Sequence, residues 1–304
     1  MTMDIRIVEV GPRDGLQNEK FPIPLDEKIS FVKKLFLAGI QEVELTSLVR
    51  SDKIPQLADA KELIQEISQL GYIEKCWVLI PNVKGLEIAL KLGLKNFAFF
   101  TSASELFNQK NINCSVADSI IRISEATKLL TASTYKTRGY LSMVFGCPYE
   151  GSIPFNKTAA IVDQLMHLGM NEISLGDTIG NANPVSVREC IKEVLKILSL
   201  KQLAMHFHDT KGLALVNIYE SMMLGVTSFD SSAAGLGGCP YAIGATGNVA
   251  TEDVVYLCEQ MKMNTGINLT QLIHSSFDIL RLLNKPSFSK VHQYFAKDLV
   301  HEKK

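Results

Sequence analysis

Leu168-Gly-Met-Asn-Glu-Ile-Ser-Leu-Gly-Asp177 carries the local plan of this chain in one phrase. A helical period closes on a glycine, and an apolar, β-branched run follows at once and ends on a carboxylate. Glycine can take the left-handed conformation that terminates a helix, so the chain turns straight back into a strand. The same closure recurs at Ala38-Gly39, Leu70-Gly71, Leu92-Gly93 and Leu224-Gly225. Working outward, strands are predicted over 5–10, 42–47, 75–80, 96–102, 140–146, 172–177, 204–209 and 228–235. Stretches of helical period separate them, the pattern of parallel βα units. Several strands are apolar on both sides, as when helices cover a parallel sheet. Eight such units close into a TIM (β/α)8 barrel.

A glycine-rich stretch, Gly235 to Gly247, follows the last strand as a long loop, and helical pattern resumes over 251–262. Residues 269–283 are amphipathic at helical spacing, and the tail is less periodic. The reading is one catalytic domain over residues 1–304, with extra C-terminal helices over 269–304 as an appendage of that domain. Barrels of this class run past 200 residues as one domain. The polar connection 104–115 is left without an assigned conformation.

Of 304 residues, 46% are apolar and the formal net charge is −1, which gives a large core and no electrostatic footprint for nucleic acid. A small molecule is the expected partner. The six cysteines are scattered, with no C-x-x-C pair, which reads as reduced thiols. No apolar run reaches the ~18 residues of a membrane span, and the first ten residues resemble no targeting peptide. Together these features predict a cytoplasmic enzyme.

Barrel chemistry sits at the C-terminal ends of the strands. Ionisable residues collect there: Arg13 and Asp14 after strand one, Glu44 on strand two, Asp177 on strand six, and His206-Phe-His208-Asp209 on strand seven. His206 and His208, two apart on a strand, point to one side and can bind one ion. The alternative is a pair of hydrogen-bonded core histidines. Asp14 can add a carboxylate oxygen or simply form a turn, since Arg-Asp-Gly is ordinary turn composition. Arg13 can clamp an anionic oxygen, salt-bridge Glu44, or do both. Glu44 and Asp177 can be general bases, can orient other groups, or can be structural partners. Cys239, in the glycine-rich loop, can donate a proton as a thiol or pack as a small apolar residue. For Asn248, spacing alone favours an N-cap over a metal ligand. A donor set of imidazole and oxygen suits Mg, Mn, Co or Zn, and oxygen-rich octahedral geometry favours Mg or Mn.

Taken together, these stretches resemble the 3-hydroxy-3-methylglutaryl-CoA lyase family of metal-dependent barrel lyases. The resemblance is carried by Val8-Glu-Val-Gly-Pro-Arg-Asp-Gly-Leu-Gln-Asn-Glu19, Lys110-Asn-Ile-Asn-Cys114, Gly146-Cys-Pro-Tyr-Glu-Gly151, Glu172-Ile-Ser-Leu-Gly-Asp-Thr-Ile-Gly180 and, most specifically, Gly235-Leu-Gly-Gly-Cys-Pro-Tyr-Ala242. It implies that Asp14, His206, His208 and Asn248 hold a divalent metal, Mg or Mn, which reverses the cap-first reading of Asn248. It also implies that Arg13 orients the substrate, that Cys239 is the catalytic thiol, and that Glu44 and Asp177 are further active-site carboxylates. The implied reaction cleaves 3-hydroxy-3-methylglutaryl-CoA to acetyl-CoA and acetoacetate. The implied partner is an acyl-CoA, in a homodimer.

The chain departs from the family pattern in two places. Leu48-Val-Arg-Ser-Asp-Lys-Ile-Pro55 replaces Phe-Val-Ser-Pro-Lys-Trp-Val-Pro, and Lys211-Gly212 replaces Tyr-Gly after the histidine pair. Both changes lie in active-face loops, which leaves room for a related 3-hydroxyacyl-CoA. A Claisen-type synthase of the isopropylmalate kind would share the barrel and metal site without needing the Cys239 loop. A barrel that binds metal but has lost catalysis is the reading outside enzymes. Cys147 is assigned no role.

Overall fold

Each glycine closure does what its position demands. Gly39, Gly71, Gly93, Gly169 and Gly225 all have positive φ, between 77° and 97°, at the turn from a helix into the next strand. At Gly39 a Cβ would also lie 2.3 Å from the carbonyl of Gly266, so the close approach needs glycine twice over.

The computed structural model describes residues 3–50, 52, 54–132, 134–238 and 247–301. In chain order the main elements are β1 (Arg6–Glu9), α1 (Leu25–Leu37), β2 (Glu42–Ser47), α2 (Ala60–Gln69), β3 (Cys76–Leu79), α3 (Val83–Lys91) and β4 (Asn96–Ser102). Then come α4 (Glu105–Ile112), α5 (Val116–Thr127), β5 (Lys136–Ser142), α6 (Phe155–His167), β6 (Glu172–Asp177) and α7 (Pro184–Val194). The chain continues with β7 (Leu203–Phe207), α8 (Ala214–Met223), β8 (Ser228–Ser231), α9 (Thr251–Gln260), α10 (Leu269–Leu283) and α11 (Lys290–His301). The strands pair in sequence order, all parallel, and β8 pairs back onto β1 with Asp230 beside Val8. The barrel is closed, so no strand edge is left unpaired.

Helices form where apolar residues recur at helical spacing. In α1, Phe31, Val32 and Leu35 are buried against the barrel wall, each contributing about 1.5–3 kcal/mol on leaving water. The C-terminal helices join the same core. Leu272, Ile279 and Leu280 of α10 belong to the cluster that contains Phe31 and Leu35, and Lys34 pairs with Asp278 at 2.7 Å.

The barrel interior is unusually polar. Arg138 on β5 is fully buried and pairs with Asp230 at 2.6 Å and Glu172 at 2.7 Å. Arg6 bonds Glu42 and Glu172 at the lower end, and Trp77 donates to Glu42 at 2.5 Å. These buried ions are mutually neutralised, and removing one partner typically costs 3–5 kcal/mol.

Two strands, β5 and β8, end more than two residues from the sequence reading. Strand five runs Lys136–Ser142 rather than 140–146, because Thr137 and Arg138 are buried polar residues on its two faces and gave no apolar signal. Beyond it Met143 has φ 59° and breaks the strand. Strand eight stops at Ser231, since Ala233–Gly235 forms a tight turn with positive φ at Ala234 and Gly235. The connection 104–115 holds α4, which Ser104 caps by accepting from Phe107 N and which ends on Asn113 in the left-handed region.

Candidate active site

After β1 the chain makes one wide helical turn over Gly11–Gly15, in which Asp14 N and Gly15 N both donate to Val10 O. The turn is forced by Glu9, which is buried below it. Glu9 Oε1 accepts from Gly11 N and Ala233 N, and Oε2 accepts from Thr251 Oγ1. A Cβ on Gly11 would lie 2.5 Å from Glu9 Oε1, so only glycine passes here. The turn lifts Arg13 and Asp14 to the C-terminal mouth of the barrel.

His206 lies near the end of β7, beside Gly176 of β6 and Asp230 of β8 in register. His208 follows just beyond the strand and bridges to Asn248. The two rings are 5.3 Å apart. Ligand atoms of Asp14, His206 and His208 lie within 4.8 Å of one another, a group able to hold a metal ion. Asn248 completes the cluster: Nδ2 donates to Asp14 Oδ2 at 2.9 Å and to Leu236 O, while Oδ1 is buried with no hydrogen-bond partner among the described residues. Ala250, not Asn248, is the N-cap of α9. A buried carbonyl oxygen left unsatisfied beside a carboxylate and two imidazoles fits a cation.

The electrostatics are divided within the cluster. Burial would raise the Asp14 carboxyl, but Arg13 and the two histidines outweigh it and hold it well below the usual range. Burial likewise works against a charge on His206, yet the hydrogen bond from Nδ1 to Asp230 Oδ2 and the charge of Asp14 raise its affinity for a proton. His208 is pushed down to about 4 by burial and by His206, so it presents a neutral imidazole. The Asp230 contact on Nδ1 leaves His206 Nε2 for a metal, the usual carboxylate–histidine–metal relay.

Arg13 bridges Asp14 through Nη1 and Glu44 through Nη2, both at 2.7 Å. Burial opposes its charge, and the two carboxylates more than restore it. Glu44 is fully buried, and burial raises its pKa against the pull of Arg13. Asp177 turns away from the mouth: its oxygens accept from Asn181 N and Ala182 N, and burial lifts its carboxyl to about 6. Cys239 lies outside the described residues.

Asp14, Arg13, His206 and His208 line a cavity of about 1110 Å³ with Tyr140, Ser174 and Thr178. Arg50, Lys61, Lys84, Lys110 and Arg122 add positive charge to its walls. Sequence reasoning missed Asp230, Arg138 and Tyr140. Asp230 was within reach, because it sits on the same strand face as Ser228 in β8, where a mid-strand carboxylate needs a partner. Arg138 and Tyr140 stack guanidinium over ring at 5.1 Å, at the start of the strand that was drawn too late.

Fold and site define a class: a (β/α)8 barrel with an Asp, His, His cluster at its C-terminal mouth. The family model described as HMGL-like matches residues 4–279, and the chain belongs to that family. It is 45% identical over 293 residues to the mitochondrial hydroxymethylglutaryl-CoA lyase of Bos taurus, covering 96% of this chain and 90% of the relative. The hydroxymethylglutaryl-CoA lyase from Pseudomonas aeruginosa superposes with a TM-score of 0.94 at 43% identity, covering 98% of this chain and 99% of that one. An HMG-CoA lyase from Acinetobacter baumannii, solved in complex with coenzyme A and 3-methylmalate, gives 0.90 at 36% identity, covering 95% and 94%.

Proposed function

We propose that this chain is a divalent-metal-dependent carbon–carbon lyase that cleaves 3-hydroxy-3-methylglutaryl-CoA to acetyl-CoA and acetoacetate. The observation that carries the reading is the unsatisfied Oδ1 of Asn248 beside Asp14, His206 and His208, at the mouth of the acyl-sized cavity. Asp14, His206, His208 and Asn248 are the ligands, and Mg or Mn suits their oxygen and imidazole donors. A bound cation supplies a Lewis acid that lowers the pKa of the substrate's tertiary hydroxyl.

The protein's own groups do the rest. Arg13, fixed in place by Glu44 and Asp14, presents a guanidinium to the thioester oxygen and stabilises the negative charge that gathers there as the bond breaks. The hydroxyl proton passes to solvent water, the hydroxyl carbon becomes the ketone of acetoacetate, and the bond's electron pair goes to the acetyl carbon. Cys239 gives that carbon its proton, which completes acetyl-CoA. Glu44 orients Arg13, and Asp177 orders the loop after β6; neither needs to touch the substrate. Arg50, Lys61, Lys84, Lys110 and Arg122 suit the phosphates of coenzyme A. The homodimer and the cytoplasmic location implied by the sequence belong to the same proposal, and solution mass and cell fractionation check them.

The replacement of the family pattern at 48–55 favours a second reading of the acyl group, because Leu48, Val49, Arg50 and Ile54 line the cavity. A panel of 3-hydroxyacyl-CoA thioesters tests both. The proposal expects 3-hydroxy-3-methylglutaryl-CoA to have the highest kcat/KM and Cys239→Ala to lose most of the turnover. A different best thioester moves the substrate, full activity in Cys239→Ala removes the mechanism, and condensation in place of cleavage makes it a synthase.

A further inference from the structure

Lys211 lies three residues after His208 on the turn from β7 into α8. Its ammonium crosses to the neighbouring turn after β6. Nζ donates to Asn181 Oδ1 at 2.5 Å, to Gly180 O at 3.1 Å and to Ile179 O at 3.4 Å. An ammonium has three protons and no acceptor, so these acceptors match its whole donor set.

The turn it grips is the one that shapes the site's edge. Asn181 N donates to Asp177 Oδ1 at 2.7 Å, so the residue that Lys211 holds by its side chain holds Asp177 by its backbone. Thr178, at the start of the turn, lines the reaction cavity and accepts from Met143 N at the end of β5. Asn181 also packs on Gly146, where a Cβ would lie 2.7 Å from Asn181 Nδ2. Three successive turns at the mouth therefore meet at Asn181. No side chain other than lysine or arginine can reach across and satisfy two carbonyls and an amide oxygen with one charge.

We propose that Lys211 is a positioning residue, a cationic clamp that fixes the 178–182 turn and thereby sets Thr178 against the reaction cavity. Its kinetic consequence rests on the lyase reading above; its structural consequence does not. The clamp acts on the arrangement reached during turnover and not on the walls that hold coenzyme A, so it affects kcat and spares KM.

The test uses the full-length protein and the variants Lys211→Met and Lys211→Arg. Hydrogen exchange of the peptide spanning 178–182, read by mass spectrometry without substrate, is expected to accelerate about tenfold in Lys211→Met, equivalent to the loss of about 1.4 kcal/mol, and to be largely restored in Lys211→Arg. In the lyase assay Lys211→Met is expected to lose about fivefold in kcat with KM within about twofold, in line with an exposed charged hydrogen bond. Lys211→Arg recovers most of that loss. Unchanged exchange in Lys211→Met overturns the clamp, as does a loss confined to KM or an arginine variant no better than methionine. If exchange accelerates while the wild type cleaves no 3-hydroxy-3-methylglutaryl-CoA, the clamp stands and the assigned reaction falls.

Discussion

Asp230 holds His206 by Nδ1 and neutralises Arg138, so its charge reaches the Asp14, His206 and His208 cluster without touching Asp14 or His208. Burial opposes that charge, but Arg138 and His206 hold its carboxyl down at about 2. Asp230→Asn is expected to keep the fold and weaken divalent binding about 10–100-fold, the usual effect of losing a ligand's orienting carboxylate. Titration calorimetry with Mn²⁺ checks this, and an unchanged Kd would show that His206 needs no such partner. Gly237 gives a sharper residue-level test. With φ at 119°, a Cβ there would meet Asn248 Nδ2 at 2.7 Å, whereas one on Gly238 would meet nothing within 4 Å among the described residues. Gly237→Ala is therefore expected to displace Asn248 and lower metal affinity, and Gly238→Ala to leave it alone. At this scale the histidine pair was legible because period-two spacing is geometric. The cap reading of Asn248 failed because spacing cannot see that its amide points back to Asp14. Arg138 and Tyr140 escaped because a barrel interior is expected to be apolar, and theirs is charged.

Among the elements, the tight turn Ala233–Gly235 after β8 rests on two buried carboxylates. Ala233 N donates to Glu9, Ala234 N donates to Glu252, and Ser276 of α10 also donates to Glu252. Burial raises Glu9 to about 7 and Glu252, with further help from Glu9, to about 8. A carboxyl whose folded pKa is raised binds its proton more tightly when folded. Its contribution is complete below the unfolded value near 4.5 and is lost as pH rises through 7 and 8. The melting temperature is therefore expected to fall between about pH 5 and 8, and Glu252→Gln to flatten that fall. Calorimetric scans across this range test it, and a slope identical in Glu252→Gln would contradict the assignment. The strand-helix order was readable because five helices, α1, α2, α3, α6 and α8, close on a positive-φ glycine. The ends of β5 and β8 were not, since Thr137 and Arg138 hide the start of one, and positive φ at Ala234, a residue without that habit, ends the other.

Over the whole molecule, the C-terminal helices are part of the barrel's core. Ser276 bonds Glu252 under the site, and Leu272, Ile279 and Leu280 pack into the central cluster. Ile279→Ala is expected to cost about 2–5 kcal/mol, and removal of residues 269–304 to leave protein that does not fold, as urea titration and circular dichroism would read. A cooperative, stable truncated barrel would make the appendage a separate unit. The barrel itself was legible from its repeated phrase, while the proposed reaction rests on loop residues such as Cys239, where side-chain chemistry and not periodicity decides. The most direct test of the central claim is turnover of 3-hydroxy-3-methylglutaryl-CoA by metal-stripped protein before and after Mg²⁺ or Mn²⁺ is restored. Acetoacetate and acetyl-CoA are expected in equal amounts only with metal, and to be lost in His206→Ala. Equal turnover without metal, or no acetoacetate with it, would contradict the account.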